Sequence, residues 1–304
     1  EKTEADYIPQ NTTWIKEPVA TFSPEKNTVI CSNGTEITYD YMVVCPGIQL
    51  DWNKIEGLTD TLGKNEVSSN YSFNTAPYTW ELIKNFKGGT AVFTNPSTPI
   101  KCGGAPHKIM YLACDYWRKK GILDQCDVHY VSGASVIFGV PEYAETLKKK
   151  LAQYNIKVHF GANVTAIDGK TKTIHFESKE ASKNIESKFS GLQASCYGIS
   201  EVQEEASTSK VTLNFDICHT VPPQSAPDFI KNSPLRDENN PLGYVEIDKH
   251  SMQHSRFKNI FALGDCTNAP CSKTGAAIRK QAPVVVENLL QLMASHPITA
   301  SYDG

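Results

Sequence analysis

The sequence predicts an α/β protein whose centre is a parallel sheet. Apolar segments at residues 91–94, 127–131 and 157–160 alternate with segments of helical spacing at residues 107–119 and 142–154. Strands and helices that alternate in this way are typical of a parallel sheet with crossover helices. The chain of 304 residues is also longer than one small core usually requires, so we expect two domains.

The segment before this sheet has the pattern of β structure. Residues 28–31 and 36–39 lie on either side of a turn at residues 32–34 and predict a hairpin. Residues 41–45 predict a buried strand, which the Pro46-Gly47 dipeptide ends.

The remaining elements follow from similar patterns. Residues 178–210 are rich in Ser, Glu and Lys and poor in apolar residues, which predicts a long exposed loop. The other predicted elements are a helix at residues 78–86, a hairpin at 165–176, strands at 211–218 and 260–263, and a helix at 273–293.

Composition excludes several classes of function. The formal net charge of -3 provides no broad basic field, so a nucleic acid is not an expected partner. No run of about 18 apolar residues occurs, so we expect no segment of this chain to span a membrane. The nine cysteines are scattered, odd in number and without a CxxC pair, so neither a disulfide framework nor a metal site is predicted.

The most informative segment is residues 259–275. It predicts a short apolar strand that ends at Gly264-Asp265, followed by a loop and a helix. Gly264 permits a sharp turn of the backbone, and Asp265 then stands at the carboxyl end of a strand, where open α/β sheets bind ligands. Cys266 follows at once, so the segment indicates a cofactor site combined with sulfur chemistry.

The usual partner of such a strand is missing from the sequence. A GxGxxG motif, which holds a pyrophosphate in the first βαβ unit of a dinucleotide-binding domain, does not occur. The chain begins at Glu1 without an initiator Met. We therefore expect the first half of the cofactor site to lie upstream of this chain.

A second cysteine lies in an unusual turn after the strand at residues 91–94. The loop contains Pro96 and Pro99 where a nicotinamide-binding domain would be glycine-rich, and it brings Cys102 to the start of a helix. A thiol near a helix N-terminus and flanked by Lys101 and Lys108 is expected to favour the thiolate, which is the better nucleophile.

These motifs resemble a known family. Residues 39–50, 101–111, 221–223 and 264–274 are similar to eukaryotic sulfide:quinone oxidoreductases, which are flavoproteins of the disulfide-reductase type with two Rossmann-like domains. The resemblance implies an α/β fold of two FAD/NAD(P)-binding type domains, of which the first is incomplete here.

The resemblance also implies a mechanism and a set of site residues. Sulfide attacks a bridge between two cysteines, Cys102 carries the persulfide, and Cys266 lies beside the flavin and passes two electrons to FAD and then to ubiquinone. The sulfur leaves to an acceptor such as glutathione or sulfite. The implied cofactor-binding residues are Gly47, Gly264, Asp265, Lys273 and Thr274.

The same resemblance implies a domain organisation and a location. Residues 1–74 are expected to be part of an FAD-binding domain, and residues 75–205 a second Rossmann-like domain that carries Cys102 and the loop at 178–210. Residues 206–304 are expected to return to the FAD-binding domain. The intact protein is expected to associate peripherally with the mitochondrial inner membrane through a segment beyond Gly304.

Three alternatives remain open at the level of sequence. A type II NADH:quinone dehydrogenase shares the fold but needs a glycine-rich turn where Pro96 and Pro99 stand. A catalytically inert truncated fragment would keep the second domain without the complete flavin site. Finally, Cys266 and Cys271 form a CxxxxC, whose spacing allows them to pair with each other instead of Cys266 pairing with Cys102.

Overall fold

The computed structural model describes residues 3–178 and 209–304, and these fall into two compact units. The first unit comprises Glu1–Gln49 and Ser225–Gly304, and the second comprises Leu50–Gln224. The chain changes unit near residues 49 and 224, whereas the sequence analysis placed these changes near 74 and 205. The assignment of functional domains to these units stays a prediction.

The secondary structure is mixed α/β. The strands are β1 (Val19–Ser23), β2 (Thr28–Cys31), β3 (Glu36–Thr38), β4 (Met42–Val44), β5 (Gln49–Leu50), β6 (Val67–Ser68), β7 (Gly89–Asn95), β8 (Cys126–Ser132), β9 (Lys157–Phe160), β10 (Ala162–Asp168), β11 (Thr173–Ser178), β12 (Ser209–Asn214), β13 (Ile217–His219), β14 (Gln224–Ser225) and β15 (Ile260–Ala262). The helices are α1 (Leu58–Thr61), α2 (Ala76–Asn85), α3 (Ala105–Lys119), α4 (Pro141–Gln153), α5 (Asp228–Lys231) and α6 (Gly275–Met293).

In the first unit, β4 and β15 form a parallel pair beside the antiparallel sheet β1-β2-β3. The hairpin of β2 and β3 matches the prediction, because Gly34 adopts a φ of +83° in the turn. In the parallel pair, Phe261 lies opposite Val43 and Ala262 opposite Val44. The core around this pair consists of fully buried apolar side chains, among them Ile230, Leu235, Val245, Met252, Ile260 and Phe261.

The second unit contains the predicted parallel sheet, in the order β6-β13-β7-β8-β9, and all of its neighbours are parallel. Helix α3 packs on β7 and buries Trp117, whose indole N–H donates to the carbonyl of Ile83 at 2.9 Å. Pro106 in the first turn of α3 and Pro141 at the start of α4 suit these positions, where the missing amide hydrogen costs nothing.

A second, antiparallel sheet of β10, β11 and β12 lies in the same unit. The single strand predicted at residues 211–218 is wrong, because the chain bends at Phe215-Asp216 and divides it into β12 and β13 in different sheets. The Asp216 carboxylate fixes this bend by accepting a 2.7 Å hydrogen bond from the amide of Thr90. Apolar and polar residues alternate without a break from Val211 to Cys218, so the pattern carries no signal for such a change of sheet.

The predicted loop at residues 178–210 is shorter at both ends. Ser178 ends β11 and Ser209 begins β12, and the two residues are paired with each other. Residues 179–208 lie outside the described part of the chain. Within the part that the structure describes, no helix is long and apolar enough to cross a bilayer.

Candidate active site

In the first unit, the site is built where β15 ends. After Ala262 the chain turns into one 3₁₀ turn, Gly264–Cys266, which Gly264 permits with a φ of +78°. The amide of Gly264 donates to the side-chain oxygen of Gln281 on α6 at 2.8 Å. Strand, turn and helix are therefore fixed to one another at the point where the sequence predicted a cofactor.

Lys273 holds the loop between this turn and α6. Its ammonium donates to the carbonyls of Asp265 at 2.7 Å and of Thr267 at 3.0 Å, and it lies 3.7 Å from the centre of the Tyr244 ring. Burial lowers the pKa of the Lys273 ammonium, and the nearby Asp265 carboxylate opposes this shift. The ammonium therefore holds the loop, and Lys273 also lines the crevice at the start of the final helix; its contact with a ligand stays a prediction.

Thr274, and not Lys273, is the residue that opens the final helix. Helix α6 begins at Gly275, and the Thr274 hydroxyl accepts the amide hydrogen of Ala277 at 3.1 Å as an N-cap. A narrow crevice at this helix N-terminus is lined by Gly264, Asp265, Thr274 and neighbouring residues of the loop. The predicted cofactor residues Gly264, Asp265 and Thr274 therefore meet in one place.

Cys266 is fully buried in the core of the first unit. Its thiol lies 3.5 Å from the carbonyl oxygen of Val44 and 3.4 Å from that of Leu263. Burial raises the pKa of the Cys266 thiol to about 12, and the neighbouring Cys45 adds to this, while Lys273 and the amide of Gly47 act in the opposite direction. Near neutral pH the group is therefore a thiol and not a thiolate.

Cys102 lies in the second unit, in the loop between β7 and α3. Its φ of +72° is in the left-handed region, which costs a residue other than glycine about 1 kcal/mol. The carbonyl of Cys102 accepts the amide hydrogen of Ala105 at 2.7 Å. The strained residue therefore lies just before the first turn of α3. The side chain is half-buried, in contrast to that of Cys266.

Cys102 opens into a groove of about 310 Å³. The groove is lined by Asn70, Tyr71, Lys101, Cys102, Ala105, Lys108, Ile109 and Leu112. The Tyr71 hydroxyl donates to the carbonyl of Lys101 at 3.1 Å, and burial together with the nearby Cys102 raises the pKa of Tyr71. The groove thus combines two lysines and a thiol with an apolar wall, which suits a small anionic sulfur species.

Buried polar residues of the parallel sheet hold the walls of this groove. The amide of Asn70 donates to the Nε2 atom of His219 at 3.0 Å, and the amide of Lys101 donates to the side-chain oxygen of Gln224 at 2.9 Å. His219 therefore supports one wall of the groove. Asn70, Tyr71 and Gln224 carry no motif in the sequence, and pattern reasoning did not find them.

His107 and Lys108 are neighbours on α3 that differ in exposure. His107 is 6% exposed and packs against Tyr111 and Phe138, and burial lowers the pKa of its imidazole to about 4. Position 107 therefore falls on the core face of the helix. Lys108 is exposed and lines the groove.

The candidate residues are thus divided between the two units. Cys102 lies in the second unit, whereas Gly47, Gly264, Asp265, Cys266, Lys273 and Thr274 lie in the first. Every cysteine in the described ranges is a free thiol, including Cys271, whose sulfur accepts a 3.4 Å hydrogen bond from Gln281. Neither a Cys266–Cys271 nor a Cys102–Cys266 bridge is therefore present among the described residues, and the choice between the two pairings stays a prediction. In residues 3–178 and 209–304 no three potential metal ligands cluster.

Comparison with known proteins gives relatives along the whole chain. A protein of Dictyostelium discoideum named "Sulfide:quinone oxidoreductase, mitochondrial" is 40% identical over 100% of this chain and 61% of its own length. The Mus musculus protein of the same name is 34% identical over 98% of this chain and 60% of its own length. This chain therefore spans about 60% of the curated relatives that it matches. No protein-family model matches it.

Solved structures show the same fold. One chain of the Tetrahymena thermophila mitochondrial ATP synthase has a TM-score of 0.76 at 20% identity and covers 99% of this chain and 67% of that chain. The sulfide:quinone oxidoreductase of Aquifex aeolicus has a TM-score of 0.70 at 19% identity, over 93% of this chain and 61% of that chain. NDH2 from Plasmodium falciparum has a TM-score of 0.54 at 14% identity, over 83% of this chain and 49% of that chain.

The chain therefore has the mixed α/β fold of the sulfide:quinone oxidoreductase and NDH2 structures, which confirms the predicted α/β class. Within that class, the curated relatives from Dictyostelium and mouse both carry the name sulfide:quinone oxidoreductase and align along the whole chain. The resemblance drawn from the cysteine motifs is confirmed.

Proposed function

We propose that this chain is the corresponding part of a sulfide:quinone oxidoreductase, which oxidises hydrogen sulfide and reduces ubiquinone. The observation that supports this most directly is Cys102, a half-exposed thiol in a groove with Lys101 and Lys108. A reactive thiol in an electropositive, partly exposed environment is what sulfur transfer requires.

In this proposal both Cys102 and Cys266 take part in the oxidation of sulfide. The hydrosulfide anion, attracted by the groove lysines, attacks the Cys102 sulfur of a Cys102–Cys266 disulfide. One S–S bond forms as the other breaks, so Cys102 keeps a persulfide and Cys266 leaves as a thiolate with the electron pair. The persulfide sulfur then passes to a nucleophile such as glutathione or sulfite.

The first unit fits an FAD cofactor at the carboxyl ends of β4 and β15. Gly47 has a φ of +82°, and a Cβ built on it would meet nothing within 4 Å, so its face is open to a close approach. The crevice at the N-terminus of α6 places Gly264, Asp265 and Thr274 together, and a helix N-terminus favours an electron-rich group. Bound FAD would supply the two-electron acceptor next to Cys266.

Lys273 has a supporting role in this arrangement. Because its ammonium is held by the carbonyls of Asp265 and Thr267, it fixes the turn that presents Asp265. The neighbouring charge also favours the thiolate of Cys266 against the effect of burial. We further propose that the protein works in mitochondria, as the names of the relatives suggest, and that it associates peripherally with the inner membrane.

The test is turnover by the complete protein with its flanking segments. Sulfide should reduce a soluble ubiquinone analogue, and Cys102→Ser and Cys266→Ser should each lower the rate by at least about a hundredfold. Mass spectrometry should find one added sulfur atom on Cys102. Cys126→Ser, at a half-buried thiol outside the site, is the matched control and should remain active. Normal quinone reduction in both site variants would rule out the proposal.

Neither alternative function is favoured. A type II NADH:quinone dehydrogenase would bind a nicotinamide where the loop after β7 contains Pro96, Pro99 and the strained Cys102. Rapid flavin reduction by NADH would support that alternative. If the protein were catalytically inert, then even with its flanking segments it would show neither flavin colour nor sulfide-dependent turnover.

A further inference from the structure

A second cysteine lies next to Cys266 in the first unit. The Cys266 thiol contacts the carbonyl of Val44 at 3.5 Å and is also close to the amide of Gly47. These two residues stand on either side of Cys45-Pro46. A carbonyl oxygen lies less than about 3 Å from the Cα of the next residue. The Cα of Cys45 therefore lies within about 7 Å of the Cys266 sulfur.

The strand register explains why the two cysteines meet. Ala262 of β15 lies opposite Val44 of β4 in the parallel pair, so both strands end at the same edge. The 3₁₀ turn then brings Cys266 back towards the end of β4. Cys45 is the residue that follows the last residue of β4. The bound of about 7 Å joins the Cys45 Cα to the Cys266 sulfur, whereas a disulfide needs 4.4–6.8 Å between the two Cα atoms, so closure requires a shift of the Pro46-Gly47 turn.

The two thiols differ in access to solvent. Cys45 is exposed, whereas Cys266 is fully buried beneath it. A dissolved disulfide can therefore reach Cys45 but not Cys266. Any oxidant of this kind has to react with Cys45 first, and Cys266 is then the thiol in position to react next.

We propose that Cys45 and Cys266 form a dithiol that closes to a disulfide when the protein meets a low-molecular-weight disulfide. In the first step the Cys45 thiolate attacks the reagent, forms a mixed disulfide and releases one thiolate. In the second step the Cys266 sulfur loses its proton and attacks the Cys45 sulfur, and the second thiolate leaves. The protein loses two hydrogens and two electrons, and the reagent gains both.

The consequence for sulfide oxidation depends on the function proposed above. A Cys266 sulfur bonded to Cys45 is not available to Cys102, so this disulfide would switch the proposed relay off until a thiol reduces it. The bond itself requires neither sulfide, flavin nor quinone. Its formation can therefore be tested even if the proposed function fails.

The experiment uses the Cys102→Ser variant of the complete protein with its flanking segments, reduced and then incubated with glutathione disulfide. After alkylation and digestion, mass spectrometry should find a peptide pair joined through Cys45 and Cys266, with two glutathione molecules released per protein. The Cys266 thiolate fraction rises tenfold per pH unit below its pKa, so closure should be about tenfold faster at pH 8 than at pH 7.

Two control variants complete the design. Cys45→Ala should abolish the linkage, and Cys271→Ala, on the same loop as Cys266, should leave it intact. A stable glutathione adduct on Cys45 with Cys266 still reduced would overturn the proposal. A Cys266–Cys271 linkage in its place would overturn it as well.

Discussion

The imidazole of His219 accepts the backbone amide hydrogen of Asn70 at 3.0 Å, and this bond holds one wall of the Cys102 groove. The acceptor is Nε2, so the ring must be neutral with its proton on Nδ1. His219 is 3% exposed, and burial lowers the pKa of its imidazole to about 4. Protonation of Nε2 would remove the acceptor and release Asn70.

The first prediction concerns acid stability. A folded pKa near 4, below the usual 6.5, means that the unfolded chain binds more protons between these values, so stability is complete above pH 6.5 and falls as the pH decreases towards 4. The His219 contribution lost between pH 7 and pH 5 is about 2 kcal/mol. Urea unfolding of the native protein and of His219→Gln at both pH values measures it.

The expected signature is a smaller pH dependence in His219→Gln than in the native protein. His250→Gln is the matched control, because His250 carries a ring hydrogen bond to the carbonyl of Tyr302 but lies near the surface of the first unit. An identical pH dependence in His219→Gln and the native protein would contradict the argument.

The second prediction concerns Lys273. Lys273→Met keeps most of the side-chain volume but leaves the carbonyls of Asp265 and Thr267 without their donor and removes the contact with the Tyr244 ring. Because each hydrogen bond from a charged donor is worth about 1.5–3 kcal/mol, we expect a loss of about 3 kcal/mol in the free energy of unfolding. The decrease in the midpoint of urea unfolding measures this loss. Lys258→Met, which removes a 2.8 Å bond to Ser255 at the surface, should change it by less than about 0.5 kcal/mol.

The third prediction concerns the base of the Cys102 loop. A Cβ on Gly133 would lie 2.4 Å from the amide nitrogen of Ser97 and 2.6 Å from the Asn163 side chain. Gly133→Ala should therefore displace the loop after β7 and cost about 1–3 kcal/mol. Gly139→Ala is the control, since nothing lies within 4 Å of its Cβ position. A thermal melt of each variant distinguishes them, and equal melting temperatures would refute the prediction.

Strong periodicity made most of the fold predictable. The strand at residues 157–160 agrees with β9, and the helix at 142–154 differs from α4 by one residue at each end. The elements that the sequence analysis did not predict have no such periodicity. The two-residue strand β6 is too short for an alternation to appear, and the bend between β12 and β13 divides a segment whose apolar/polar alternation continues across it.

The site was less predictable than the fold, for a physical reason. The motif at Gly264-Asp265-Cys266 located a strand end, but the burial of Cys266 depends on the 3₁₀ turn that folds it against Val44. The groove beside Cys102 depends on Asn70 and Tyr71, which enter from a distant segment without regular spacing. Contacts between remote segments are set by tertiary packing, which local patterns do not encode.

The fourth prediction concerns the left-handed backbone at Cys102. Glycine adopts a φ of +72° without steric cost, so Cys102→Gly should be about 1 kcal/mol more stable than Cys102→Ala. At Cys114, inside α3, the order should reverse, with Gly about 1 kcal/mol less stable than Ala. Denaturant unfolding of the four variants is the measurement. The same sign at both positions would show that Cys102 is not strained.

Ser178 and Ser209 are paired across β11 and β12, on either side of residues 179–208. Antiparallel partners lie close enough for a two-residue turn such as Asn-Gly to join them. Replacing the whole segment by such a turn should leave β11 and β12 in register, since shortening a closed loop lowers its entropic cost. The same position is a suitable place to graft a fluorescent reporter or an affinity tag, at a distance in sequence from both cysteines of the proposed relay.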